Sequence, residues 1–170
     1  TESNEYEMLI DTIISIDNTI DAVLAKAQLL KVKKRFKESI SVYQTAVQMT
    51  ELDSIKNEIM MDVLDIQYSN LNAYRTAYNT ALTIKGSNRS KALLVAANCV
   101  AKTANSCGSS TFERKCNYYY AAQLANQAGK PGIASKFKAN APTADEIFSN
   151  NSPATLNLSC WNVTVDVKKN

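Results

Sequence analysis

Phe36-Lys37-Glu38-Ser39-Ile40-Ser41-Val42-Tyr43-Gln44-Thr45-Ala46-Val47-Gln48-Met49 decides what kind of chain this is. Phe36, Ile40, Tyr43, Ala46, Val47 and Met49 recur at three- and four-residue intervals, the spacing of one face of an α-helix. The same periodicity extends in both directions. Upstream, Met8, Leu9, Ile13 and Ile16 form one stripe, and Ile20, Val23, Leu24, Ala27 and Leu30 form the next. Asp17-Asn18-Thr19 supplies capping chemistry between them, and the basic cluster Lys31 to Arg35 closes the second helix, where cations complement the helix dipole.

Downstream, Asp53-Ser54 offers a cap for a helix through Ile59, Val63, Ile66 and Tyr68, broken at Asn70-Leu71-Asn72. Tyr74, Ala77, Tyr78, Ala81 and Ile84 form the next, and Gly86-Ser87-Asn88 stops it as a glycine C-cap would. An alanine-rich helix follows from Ser90 through Leu94, Ala97 and Val100. After the loop Cys107-Gly108-Ser109-Ser110, either serine can cap a seventh helix that ends at Gly129. We therefore expect helices near 5–16, 19–34, 36–51, 54–70, 73–85, 89–104 and 110–128. Pro131-Gly132 opens a short eighth helix through Ile133 and Phe137, and Thr143-x-x-Glu146 is a capping box for a ninth.

The end of the chain changes period. Leu156 and Leu158, then Cys160-Trp161, pass into Val163, Val165 and Val167, alternating with polar residues. A lone strand cannot bury a face unaided, so this flap is expected to pack on helices or to form a small hairpin.

Composition narrows the functions. The 170 residues suffice for one domain with a sizeable core, at 45% apolar and 21% charged. Four glycines and three prolines, concentrated after residue 85, favour long uninterrupted helices before it. The chain has no histidine, which excludes His-based acid–base work, His-paired nucleophiles and imidazole zinc sites. With a net charge of +3 and a single basic cluster, there is no nucleic-acid patch of basic residues interleaved with aromatics. No apolar run approaches a membrane span. The chain opens at Thr1 without a visible leader, and we expect a mature, processed or excised segment.

Cys99, Cys107, Cys116 and Cys160 fit no metal spacing; bridges in an oxidising compartment are expected, the alternative being four buried thiols. Cys107 lies in a loop whose freedom suits bridge geometry, with Gly108 relieving crowding beside it, and Cys160 lies in the segment that has no helix to join. A Cys107–Cys160 disulfide is therefore expected to pin the flap and hold Trp161 against the last helices. Cys99 and Cys116, on consecutive helices flanking the loop, are the candidates for a second bridge. Sequons stand at Asn88, Asn157 and Asn162 and matter only where the source glycosylates.

The helices arrive in pairs with a repeat. Lys34 to Ile40 with Tyr43 and Ala46 resembles the second helix of a tetratricopeptide repeat, and Asn72 to Ala77 with Ala81 and Ile84 repeats the pattern. Tyr6, Leu9 and Ile13 suggest a partial earlier copy, and Tyr118 to Gly129, with Ala122 and Ala125, a later one. The first-helix Trp-Leu-Gly pattern is absent, with Val23, Lys26 and Ala27 in those places. The resemblance implies an all-α, right-handed solenoid of antiparallel helix pairs over 1–130, capped by 131–170 with its β-like flap. Small residues would let helices approach, so Ala46, Ala77, Ala97 and Ala122 are expected to be buried.

The C-terminal motifs are more specific. Ser106-Cys107-Gly108-x-Ser110-x-Phe112-Glu113, Ala121-Ala122-x-x-Ala125, Ala141-Pro142-Thr143-x-x-Glu146-Ile147-Phe148 and Cys160-Trp161-x-x-Thr164-Val165 resemble the ending of large tetratricopeptide proteins of Bacteroidetes. This resemblance implies an exported protein, periplasmic or at the cell surface, serving as a non-enzymatic scaffold for other proteins in an envelope or secretion assembly. No cofactor, metal or catalytic residue is implied. Leu24 and Gln28 stand where some relatives carry a carboxylate clamp, and cannot form one.

Tyr118, Tyr119 and Tyr120 are the candidate partner contacts, and the alternative function is a glycan- or peptide-binding module using exposed tyrosines. Three consecutive tyrosines on a helix point in three directions, which favours at least one in the core. Asp62 with Asp65, and Asp17 with Asp21, read as solvated helix faces, and Met8, Met60 and Met61 as core fillers.

Overall fold

The computed structural model describes residues 2–167, which are mostly helical and end in a small two-stranded antiparallel sheet. The chain divides into two compact units, one holding residues up to 73 with Ile84–Asn88, the other Tyr74–Thr83 with residues from 89 onward. The expected boundary at residues 130 and 131 lies inside the second unit.

The first unit contains α1 (Glu2–Ile16), α2 (Ile20–Val32), α3 (Phe36–Gln48) and α4 (Asp53–Asp65). Thr19 caps α2, its hydroxyl accepting the Ala22 N–H. The helix stops at Val32, short of the expected 34, because Lys34 turns left-handed at φ 61°. Lys34 N–H then reaches Lys31 O at 3.0 Å, and Arg35 N–H reaches Leu30 O at 2.9 Å, a Schellman ending that folds the chain back into α3. Ser39 is fully buried and its hydroxyl donates to Ala27 O at 2.7 Å, so its short side chain lets α2 and α3 close together.

Val23 and Ala27 meet Tyr43 and Ala46, and Ile59, Val63 and Ile66 complete this core. The basic cluster is spent on carboxylates: Lys31 on Asp65, Lys33 and Arg35 on Glu7, and Arg35 also on Glu38.

Three expectations are corrected in this unit. Leu9, Ile13 and Ile16 are exposed, as is Met8 at 70%; Ile10 is buried and Ile14 packs on the core, so the stripe facing inward is the adjacent one. Asp53 does not cap α4 but begins it, and Leu52 precedes it without a side-chain cap. The fourth helix does not run on as α-helix to 70: Ile66–Asn70 is a π-helical turn, closed by Leu71 N–H on Ile66 O at 3.0 Å.

The second unit contains α5 (Tyr74–Thr83), α6 (Arg89–Thr103), α7 (Thr111–Gln127), α8 (Pro131–Lys138), α9 (Ala144–Ser149), β1 (Thr155–Leu158) and β2 (Val163–Asp166). Residues 84 and 85 leave the helical path, Ile84 being extended at ψ 132°, so α5 ends before Gly86. At the centre lies α7, which packs on α6, α8 and both strands. Ala92, Ala96 and Ala97 of α6 and Ala121, Ala122 and Ala125 of α7 are all buried, small side chains that suit close helix approach. Ala46, Ala77, Ala97 and Ala122 are each no more than 1% exposed, as expected.

Ser110 caps α7 by accepting the Glu113 N–H at 3.1 Å, while the Glu113 carboxylate accepts the backbone N–H of Ser109 at 2.6 Å. Gly129, at φ 68°, ends it in a second Schellman motif, and Pro131 begins α8 at the position where its missing N–H is harmless. The Thr143–Glu146 capping box is present at α9. The flap is a hairpin in which Leu156 opposes Val165 and Leu158 opposes Val163. Leu158, Val165 and Val167 are buried, and both strands touch α7, so the flap is hairpin and helix-packed at once.

Candidate functional site

The sequence-derived candidates converge on α7 and the loop that precedes it. Cys107 and Cys160 are bridged across 53 residues with Cα atoms 5.9 Å apart, the expected pin. Gly108 beside it holds φ 136°, and a Cβ there would stand 2.9 Å from Arg114 N and from Glu113 Cβ, so glycine is required. Trp161 is buried, and its indole N–H donates to Asn117 Oδ1 at 2.9 Å. Asn117 in turn donates to Cys107 O at 2.7 Å. The Tyr78 ring lies 4.5 Å from the indole, and the Arg75 guanidinium sits 5.6 Å from its centroid. The Tyr78 and Tyr120 hydroxyls share a hydrogen bond of 2.7 Å, and burial first, then that bond, pushes the Tyr78 phenol well above its ordinary range. The indole N–H, the Asn117 amide and the two phenols are partnered within the cluster, which fastens the flap to α7.

Cys99 and Cys116 form no second bridge; both are free and buried. Each is held within a regular helix, whereas Cys107 and Cys160 lie outside the regular helices and strands. Burial pushes both thiols up to about 12, so they are protonated and unreactive near neutral pH.

The tyrosine run is divided between two environments. Tyr120 belongs to the core, and Tyr118 and Tyr119 are half-buried. Tyr119 donates to Pro142 O at 3.3 Å and lines a cleft of about 400 Å³. One wall of that cleft is a face of α7, carrying Tyr119, Gln123, Asn126 and Gln127. β2 contributes Thr164, Val165 and Asp166, and α8 contributes Lys138. Sequence reasoning named Tyr119 but missed the amides. Their positions, four, seven and eight residues after Tyr119, make a polar helical stripe that could have revealed them.

A second hollow, of about 260 Å³, lies in the first unit. Leu24 and Gln28 of α2 face Ile55, Glu58, Ile59 and Asp62 of α4, with Tyr43 at the base donating to Gln28 Oε1 at 2.8 Å. Burial raises the Tyr43 phenol to about 12, with help from the charges of Asp62 and Asp65. Burial also raises the Asp62 carboxyl. Asp65 is pushed up by burial too, but the hydrogen bonds from Lys31 and Ser69 outweigh this and hold it below its ordinary value. Lys31 lies 2.9 Å from Asp65 and 3.9 Å from Asp62, so this carboxylate pair is joined by a cation and is not simply solvated. Among the described residues, no three His, Cys, Asp or Glu side chains come together as a metal site would require, and no helix is long and apolar enough to cross a membrane. No protein-family model, curated protein or solved structure matches the chain.

Proposed function

We propose that this chain is a non-enzymatic scaffold for protein–protein interaction, built of tetratricopeptide-like antiparallel helix pairs in a right-handed solenoid. Its place would be an exported, envelope or secretion-related assembly of the kind the C-terminal motifs resemble. The observation that carries this reading is the hollow between α2 and α4. In a helix-pair array the first helices of successive pairs line the concave, partner-binding face. In chain order α2 and α4 hold those places, and they offer Leu24, Ile55 and Ile59 for apolar contact beside Gln28, Glu58 and Asp62 for polar contact. The Cys107–Cys160 bridge supports the oxidising compartment.

The test is capture of partners from an envelope fraction on the immobilised chain, compared with a Gln28→Arg/Glu58→Lys variant. Both residues are exposed, but Gln28 accepts the Tyr43 hydroxyl, so retention of the fold in the variant is checked by circular dichroism and its urea midpoint. The expected result is a reproducible set of proteins on the wild type that is lost on the variant. An identical set on both would reject the hollow as the binding face. Turnover of a hydrolase or transferase substrate, abolished by one substitution, would reject the scaffold reading altogether. The second reading, a glycan- or peptide-binding module, draws on the cleft beside Tyr119.

A further inference from the structure

Among the described residues, the hairpin leaves one edge of β2 open, and its register fixes which backbone groups that edge presents. Val167 N–H bonds to Ala154 O at 2.9 Å, which places this opposed pair at a hydrogen-bonded position of the ladder. In an antiparallel ladder such pairs alternate with pairs whose N–H and C=O point away from the partner strand. Counting back through the register, Val165 and Val163 bond to β1, whereas Thr164 and Asp166 direct their N–H and C=O outward. The 400 Å³ cleft lies along this outward side, since Thr164, Val165 and Asp166 line it and no β1 residue does.

The facing wall completes the arrangement. Gln123, Asn126 and Gln127 each carry an amide that can both donate and accept hydrogen bonds. An extended peptide has donors and acceptors along both of its edges, so one edge can pair with β2 while the other meets the amides. A cleft of this volume is within the range that holds small ligands. Tyr119 offers a ring surface, and Lys138 and Asp166 set one charge of each sign in the lining.

We propose that this cleft binds an extended peptide segment of a partner protein, which adds as a third strand to the open edge of β2. The segment pairs its backbone with Thr164 and Asp166 and sets acidic and basic side chains against Lys138 and Asp166. This deepens the second reading, the peptide-binding module, and rests on it, at a site in the second unit, remote in sequence from the α2 and α4 hollow.

The experiment selects heptapeptides from a random phage-displayed library against the disulfide-intact chain, then measures the synthetic winners by calorimetry. Each peptide amide is then N-methylated in turn. Strand addition predicts a period of two: methylation at alternate positions weakens binding by about tenfold or more, and at the intervening positions it is tolerated. Thr164→Pro removes an outward N–H without touching the β1 ladder, and is expected to weaken binding about tenfold with Trp161 fluorescence unchanged. Failure to select any peptide, a methylation profile without the two-residue period, or binding of oligosaccharides from a glycan array in place of peptides would overturn the proposal. The methylation scan uses the wild-type chain, so its outcome stands even where the proline variant misfolds. The Gln28→Arg/Glu58→Lys capture concerns another unit, so either reading can fail while the other holds.

Discussion

The indole N–H of Trp161 donates to Asn117 Oδ1 at 2.9 Å, joining a residue of the hairpin turn to the middle of α7 across 44 positions. Asn117 is fully buried, and its Nδ2 reaches Cys107 O, the carbonyl of a bridged residue. The flap is therefore held twice at one point, by a covalent bond and by a buried amide that satisfies the indole. Neither group has water to fall back on, and burying a donor without an acceptor is costly.

Replacing Asn117 with alanine should therefore cost about 2–3 kcal/mol, mostly from leaving the Trp161 N–H unpaired. Trp161 is the sole tryptophan, so its fluorescence reports on this place alone. The expected outcome is a lower urea midpoint and a shifted emission maximum in the native state. A variant with wild-type emission and midpoint would show that the indole finds another partner.

Thiol counting tests the bridge assignment directly. Unreduced native protein should label at no cysteine, because Cys99 and Cys116 are buried and Cys107 and Cys160 are joined. Unreduced protein in denaturant should label at Cys99 and Cys116 only, and reduced protein at all four. A Cys107→Ser/Cys160→Ser variant should lose about 2–4 kcal/mol of stability, in keeping with a loop of this length. Labelling of Cys107 or Cys160 before reduction would disprove the pin.

Lys34 occupies a left-handed position, φ 61°, at the end of α2, where glycine is the usual residue. Its side chain is exposed, and both Schellman hydrogen bonds come from backbone. Lys34→Gly should therefore stabilise the chain by about 0.5–1 kcal/mol, since the Cβ strain it relieves outweighs the added freedom of the unfolded chain. Chemical denaturation of the two proteins at one pH checks it, and a lower midpoint for the glycine variant would contradict it.

What the sequence disclosed tracks the range over which each feature is decided. The Thr143–Glu146 box, the Ser110 cap and the Gly129 ending depend on residues within one turn of each other, and all stand where local chemistry puts them. The period of α1 was legible but not its facing. Leu9, Ile13 and Ile16 make as good a stripe as Ile10 and Ile14, and only packing against the core chooses between them. The π-turn at Ile66 is likewise invisible to a 3.6-residue pattern, because a single inserted register shift leaves the apolar spacing almost intact. The cleft beside Tyr119 needs β2 to fold back onto α7, and only pairing across the Cys160 turn brings Thr164 opposite Gln123 and its neighbours.

The last prediction concerns alkaline pH. Burial raises Cys99 and Cys116 from the ordinary thiol value of 9.0 to about 12 in the folded chain, and unfolding returns them to the ordinary value. Below pH 9 both states carry the protons, and these thiols make stability independent of pH. Between 9.0 and about 12 the unfolded chain releases protons that the folded chain still holds, so stability falls as pH rises. Tyr43, raised from 10.0 to about 12 mainly by burial, adds to the same slope at its upper end. Urea midpoints read soon after transfer to pH 7, 9, 10 and 11 should be level to pH 9 and then decline. In a Cys99→Ala/Cys116→Ala variant the decline should be shallower and begin later, because the two burial-raised thiols no longer contribute to it. Identical pH profiles for the two proteins would mean that the thiols reach water in the folded state, against their complete burial on α6 and α7.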